Sequence, residues 1–220
     1  MKELLIFGNS QMADIVYTYF STETNIKIKG FVVDGKFIKE EKFNGIPVIA
    51  LEDIKKEFPP ENYLMSLVMG GKNVNRLRED KYNQIRSLGY SFKSFISSRA
   101  IILPNSKIGD NCFILENNVI QHFTNIGSNS ILWSGNHFGH HSKIGPNSYL
   151  ASHVVISGRC EIGKNCYFGV NSSVKDGTKI GNYVVIGASA NVMKNIEDEK
   201  VIMGLPGKSI PQKSSEVTLL

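Results

Sequence analysis

Large apolar residues recur at every sixth position from Ile96 to Val192. The register runs through Ile96, Ile102, Ile108, Ile114, Ile120 and Ile126, then Leu132, Phe138, Ile144, Leu150 and Ile156, and on through Ile162, Phe168, Val174, Ile180, Ile186 and Val192. Two residues before many of these stands a small side chain: Ser106, Cys112, Thr124, Ser142, Cys160, Cys166, Ser172 and Ala190. One large and one small inward residue per hexapeptide predicts a parallel β-helix, with a short strand and a bend in each repeat. A longer period lies over the first. Ile-Gly recurs at Ile108-Gly109, Ile126-Gly127, Ile144-Gly145, Ile162-Gly163 and Ile180-Gly181, so three hexapeptides close one coil and the prism has three sides. Asn111, Asn129, Asn147 and Asn165 follow four of those glycines, and Gly and Asn both tolerate the positive φ of a tight corner. The register is expected to stop at Val192.

The first ninety residues read differently. Leu4–Phe7 is an unbroken apolar run ending at Gly8, as a buried parallel strand would, and a helical stretch follows to about Phe20. Ile28–Val33 ends at Asp34-Gly35, and Leu64–Met69 ends at Gly70-Gly71. Helices are expected over 51–57 and 74–88, which makes βα units and a small parallel sheet. A strand, a glycine turn and a helix N-terminus form an anion site, and an acid closing the second strand can hold a ribose or base edge. An ordinary βα turn at Gly8 and a turn cap at Asp34 are the plainer alternatives.

The hexapeptide stretch resembles the left-handed β-helix of the hexapeptide-repeat acyltransferases. The whole chain is similar to bacterial sugar acetyltransferases of the sialic acid O-acetyltransferase and bacillosamine-pathway N-acetyltransferase type. That resemblance implies an α/β nucleotide-binding domain over 1–93, a left-handed parallel β-helix over 94–195, and a CoA-contacting segment and tail over 196–220. The left hand is implied by the family alone.

Composition changes this picture little. The formal charge is +5, yet no run of Lys and Arg stands out, so nucleic acid is not the expected partner. A mild positive field suits CoA and nucleotide sugars. The three cysteines fall on small inward positions and read as buried reduced thiols, which fits the cytoplasm. No signal or membrane-spanning run is evident.

Candidate chemistry centres on five histidines within one short span: His122, His137, His140, His141 and His153. In the resembled acetyltransferases a histidine at the place of His140 is the general base, and a neutral imidazole suits that work. Their neighbouring carboxylate is replaced here by His141; His122 and Glu116 are the other candidates for orienting the base. The resemblance implies that the loops at Gly8, Asn9, Asp34, Gly35, Gly71, Asn73 and Arg76 hold the nucleotide of a nucleotide-linked amino sugar, with His122 and His137 near the sugar. It implies acetyl-CoA as co-substrate, held by Gly158, Gly169, Gly187, Ala188, Pro206 and Lys208, and a homotrimer. Sugar O-acetylation is the near alternative. A zinc enzyme like the γ-class carbonic anhydrases, using His137-x-x-His140-His141, is the distant one. Asn118 and Asn136 are expected to bond each other as an inward ladder, and Trp133 to face outward as a subunit contact or sugar platform.

Overall fold

The computed structural model describes residues 2–209 and 211. Its front portion is a sheet of order β3-β4-β2-β1-β5-β6, formed by β1 (Glu3–Phe7), β2 (Ile28–Val33), β3 (Lys42–Phe43), β4 (Ile46–Ala50), β5 (Tyr63–Leu67) and β6 (Ser91–Phe92). All pairings are parallel except the short β3–β4 hairpin. Helix α1 (Gln11–Glu23) buries Ala13, Val16 and Phe20 against this sheet and runs one turn past its expected end. The helix expected over 51–57 shrinks to the single turn α2 (Ile54–Glu57), because Pro59 and Pro60 forbid its continuation. Helix α3 (Arg76–Ser87) starts two residues later than expected. Asn73, Val74 and Asn75 hold φ of 52°, 48° and 63°, a left-handed turn that no right-handed helix can include.

Two residues after β6 the coil begins with Phe95–Ile96. The hexapeptide register produces a left-handed parallel β-helix with three faces. The first face has seven two-residue strands from Phe95–Ile96 to Val201–Ile202, the second six from Ile101–Ile102 to Asn191–Val192, and the third five from Lys107–Ile108 to Lys179–Ile180. Up to Val192 each strand pairs with the one eighteen residues further on, as Phe113 does with Ile131. The second residue of each strand points inward, and Ile114, Ile120, Phe138, Phe168 and their equivalents make one continuous core. The register does not stop at Val192: Ile196 bridges Ile180, and Val201–Ile202 pairs with Val185–Ile186, because a last partial coil covers the apolar layer that would otherwise end in water.

Positive φ is not confined to the Ile-Gly corner. From Asn105 to Ser189 one residue at each corner lies in the left-handed region, at +50° to +65° where it is not glycine. At the third corner, between the third and first faces, that residue is Asn111, Asn129, Asn147 and Asn165. These four are the ladder of the fold: Asn111 Nδ2 donates to Asn129 Oδ1 (2.7 Å), Asn129 to Asn147 (2.8 Å) and Asn147 to Asn165 (3.2 Å). The pair expected to do this, Asn118 and Asn136, is buried but bonds the backbone instead. Asn118 Nδ2 reaches Leu115 O and Trp133 O, and Asn136 Nδ2 reaches Trp133 O. Both lie at the end of the corner, where a carbonyl is nearer than the next amide.

The front portion packs on the first face. Phe95, Phe113 and Ile131 from that face join Phe20, Phe31 and Val16 in a single cluster. Trp133 belongs to this contact and does not face outward; its Nε1 donates to Tyr149 Oη at 2.5 Å. Arg78 closes the joint. It is fully buried and donates to Met69 O, Asn129 O, Asn147 O, Ser148 O and Asn75 Oδ1 at 2.7–3.2 Å. Burial pulls its pKa down to about 9, so the guanidinium still carries its charge at neutral pH. On the other flank Glu23 accepts from Ser97, Ser98 and Arg99, and Tyr19 donates to Glu116.

Candidate active site

Two regions carry the candidate residues, and they lie on opposite sides of the chain. The first is a cleft of about 580 Å³ at the carboxyl ends of β1, β2 and β5, the place where open parallel sheets bind ligands. Gly8, Asn9, Ser10, Asp34, Gly70, Lys72 and Lys81 line it. Gly8 holds φ of +122°, which a side chain would resist, and lets β1 break into α1. The α1 N-terminus receives no side-chain cap from Ser10, so its first N–H groups are left for a ligand or solvent. Asp34 is engaged: Lys81 Nζ donates to its Oδ1 at 2.6 Å. Of the expected nucleotide residues, Gly8, Asn9 and Asp34 line the cleft, and Gly35 adjoins it with its N–H donated to Glu52 Oε2. Gly71, Asn73 and Arg76 do not line it. Gly71 abuts Tyr167, and Arg76 lies 3.8 Å from the Tyr183 ring centroid and bonds Glu199 at 3.0 Å, so both serve the contact with the coil. The sequence reading missed four lysines on the cleft wall, Lys36, Lys39, Lys72 and Lys81. Two were visible as Lys36-Phe37-Ile38-Lys39 directly after the Asp34-Gly35 strand end.

The second region is the coil corner between the second and third faces. The five histidines do not form one cluster. His122, His140 and His141 occupy this corner, His137 lies on the second face between Val119 and Val155, and His153 sits at the first corner against Gly135. His140 and His141 share a hydrogen bond between their Nδ1 atoms at 3.1 Å. One of the two must donate; with the proton on His140 Nδ1, its Nε2 is left as a lone-pair base. The His140 N–H donates to Gln121 Oε1 at 2.9 Å, which fixes the backbone beneath the ring. His122, one coil below, turns its Nδ1 to Pro104 O at 3.0 Å. Glu116 cannot orient His140 within the chain. It sits at the first corner, bonded to Tyr19 and Ser134; burial pushes its pKa up, but those bonds and Arg99 outweigh this and hold the carboxyl below its ordinary range.

The left-handed residues of this second corner are Asn105, Phe123, His141, Arg159 and Gly177. Bulky side chains in that conformation are uncommon and gather at functional sites. Phe123 is 48% exposed and lies 4.7 Å from the His141 ring, a half-covered apolar shelf beside the imidazoles. Gly158 stands one coil above His140, and a Cβ there would meet the His140 ring at 3.0–3.2 Å. The expected CoA residues divide: Gly158 is at this corner, while Gly169, Gly187 and Ala188 are at the first. Gly204 packs on Ala188 there, and the exposed Pro206 and Lys208 lead on from it. The tail over 212–220 lies outside the described residues. Among the described residues no three His, Cys, Asp or Glu side chains converge as a metal site, and no helix is long and apolar enough to cross a membrane.

Comparison with known proteins agrees with this architecture. A family model described as bacterial transferase hexapeptide (six repeats) matches residues 123–158 and 159–194. Among solved structures, it is similar to a histidine-to-asparagine variant of perosamine N-acetyltransferase from Caulobacter crescentus in complex with CoA and GDP-perosamine, at 20% identity and TM-score 0.83, covering 94% of this chain and 96% of that one. The acetyltransferase domain of PglB from Neisseria gonorrhoeae matches at 20% identity and TM-score 0.80, over 96% of this chain and all of that one (100%). WeeI from Acinetobacter baumannii matches at 18% and 0.80, over 93% and 97%. These likenesses span the sheet portion and the coil together, and they establish the fold. No curated protein matches the sequence.

Proposed function

We propose that the protein is an acetyl-CoA-dependent N-acetyltransferase acting on a nucleotide-linked amino sugar for bacterial surface glycans, working in the cytoplasm. The observation that carries this is the His140–His141 pair: its Nδ1 contact pins one imidazole, and Gly158, one coil above, carries no side chain of its own to crowd that ring. His140 Nε2 takes a proton from the acceptor amine as nitrogen attacks the acetyl carbonyl, and returns it to the departing thiolate. The fold match to proteins crystallised with CoA and GDP-perosamine, or with acetyl coenzyme A, supports both ligand classes. Lys36, Lys39 and Lys72 give the front cleft the positive charge that a diphosphate requires.

One chain does not complete such a site. The front portion covers the first face and its two corners, so the His140 corner is the one farthest from it. A homotrimer answers this, since cyclic packing about a threefold axis sets each His140 corner against a neighbour. The outward ladder of the second face supports it: Ile101, Val119 and Val155 are apolar, and Ile101 and Val155 are exposed, whereas the third face shows Lys107, Lys143, Glu161 and Lys179. Gly158, Gly169, Gly187, Ala188, Pro206 and Lys208 would hold CoA from both sides of that groove.

The test is a panel of UDP-, GDP- and dTDP-linked amino sugars with acetyl-CoA, read by thiol release and product mass, with sedimentation on the same sample. Acetyl transfer to an amine by a trimer is the expected result. Transfer to hydroxyls alone would move the assignment to O-acetylation. Loss of activity with chelator and its return with zinc would replace it by the metalloenzyme.

A further inference from the structure

The second corner carries a column of residues one coil apart: Pro104, His122, His140, Gly158, Asp176 and Lys194. Gly158 is the gap in it. A Cβ on Gly158 would lie 3.0 Å from His140 Cε1, 3.2 Å from His140 Nε2 and 2.9 Å from Asp176 Oδ2. The glycine is therefore the floor of a notch whose lower lip is the base nitrogen and whose upper lip is a carboxylate oxygen. The carboxylate is held in this attitude. Arg159 donates to Asp176 Oδ1, which leaves Oδ2 as the oxygen nearest the notch. Arg159 can do so because it takes the left-handed corner conformation, φ 55°.

We propose that Asp176 is a specificity-determining residue that receives the acceptor's ammonium group beside His140 and selects amines over hydroxyls. The inference rests on the acetyltransferase reading above. An alkyl amine is largely protonated at neutral pH. An ammonium has three N–H groups, enough to donate to Asp176 Oδ2 and to His140 Nε2 at once. A hydroxyl has one proton; once that proton faces His140, only oxygen lone pairs remain to face the carboxylate, and like partial charges repel. The reaction balances with the groups present. The ammonium loses one proton to solvent and, through His140, a second; the N–C bond forms, the C–S bond breaks, and His140 passes the second proton to the CoA sulfur. Asp176 exchanges no proton, and its effect falls on acceptor binding.

The experiment compares wild type with Asp176→Asn, which keeps the size of the side chain and an oxygen for Arg159. Acceptors are GDP-perosamine and UDP- and dTDP-linked 4-amino-4,6-dideoxyhexoses, each paired with its 4-hydroxy counterpart. The expected result is an acceptor KM raised about 10- to 100-fold for the amine, the worth of one charge-assisted hydrogen bond. kcat and the KM for acetyl-CoA should stay near wild type, and the amine-over-hydroxyl preference should shrink. An unchanged amine KM, or equal losses for amine and hydroxyl, overturns the proposal. Acetyl transfer to hydroxyls alone in wild type overturns it too, while leaving an acetyltransferase in place. If no acceptor is acetylated, the acetyltransferase reading itself fails, and the notch is then read without turnover. The His140 ring protons are followed by NMR against ethylammonium chloride and against ethanol. A saturable shift with the ammonium only, absent in Asp176→Asn, supports the site; no such shift in wild type overturns it.

Discussion

The second and third corners of the coil share one backbone and differ in everything attached to it. Both turn through a left-handed residue in each coil. The third corner spends that position on Asn111, Asn129, Asn147 and Asn165, buried and bonded to one another, with Leu67 and Glu79 closing the two ends of the ladder. The second corner spends it on Phe123, His141 and Arg159, whose side chains stay exposed beside His122, His140 and Asp176. A repeating scaffold supplies identical corners, so a corner filled by residues that suit the φ angle does structural work. A corner that places bulky residues in that conformation, as the second does between Asn105 and Gly177, is the candidate for chemistry. The difference is therefore informative at the level of single positions.

The comparison predicts that damage at one corner shows as lost turnover and damage at the other as lost stability. His140→Ala is expected to lower kcat by about 10²–10⁴-fold, with the melting temperature and the acetyl-CoA KM near wild type. A melting temperature that falls with kcat would put His140 in the structural class. Arg78→Met takes their donor from the Met69, Asn129 and Asn147 carbonyls at the joint, while Ser148 O keeps Ile131 N–H, and should destabilise the folded chain by about 3–5 kcal/mol. Denaturant unfolding measures this, and a midpoint unchanged from wild type would mean that the buried guanidinium contributes nothing net. Asn129→Leu breaks the middle of the ladder and should cost about 1–3 kcal/mol, with kcat unaltered once folded; a kcat loss on the scale of His140→Ala would erase the distinction between the corners.

The smallest effect concerns acid. Burial raises the pKa of Glu23 and Glu116, but hydrogen bonds from Ser97, Ser98 and Arg99 to the first, and from Ser134 and Tyr19 to the second, outweigh it and leave both below the ordinary carboxylate range. A carboxylate whose folded pKa is depressed stabilises the fold above its unfolded pKa and loses that contribution as pH falls through the folded value. The joint between sheet and coil should therefore weaken only below about pH 4.5, and Glu23→Gln should flatten that part of the stability profile. An identical acid profile in the variant would remove Glu23 from the joint.

Much of this protein could be read from its residues in order. A period of six in large apolar side chains has one compact solution, because each strand of two residues buries one side chain and the next coil must stack on it at the same point. The three-sided coil, its inward core and the parallel front sheet follow from that period and from the apolar strands that end in glycine. His140 and Asp34 stand out in the sequence as candidates for chemistry, the first as one of a histidine pair and the second as an acid at a strand end. What lay beyond the sequence was decided by which elements meet. Nothing in the spacing says that the front sheet packs on the first face, so the sequence alone reads Trp133 as exposed and Arg78 as one more polar residue of its helix. The Ile-Gly spacing marks Asn129 as a corner residue, but the partners of Asn129, its own repeat, and of Asn118, a carbonyl, are not written there, because each turns on whichever polar group the neighbouring coil brings within about 3 Å. The notch at Gly158 is of the same kind. Its walls, His140 and Asp176, are thirty-six residues apart, and only the stacking of coils makes them face one another.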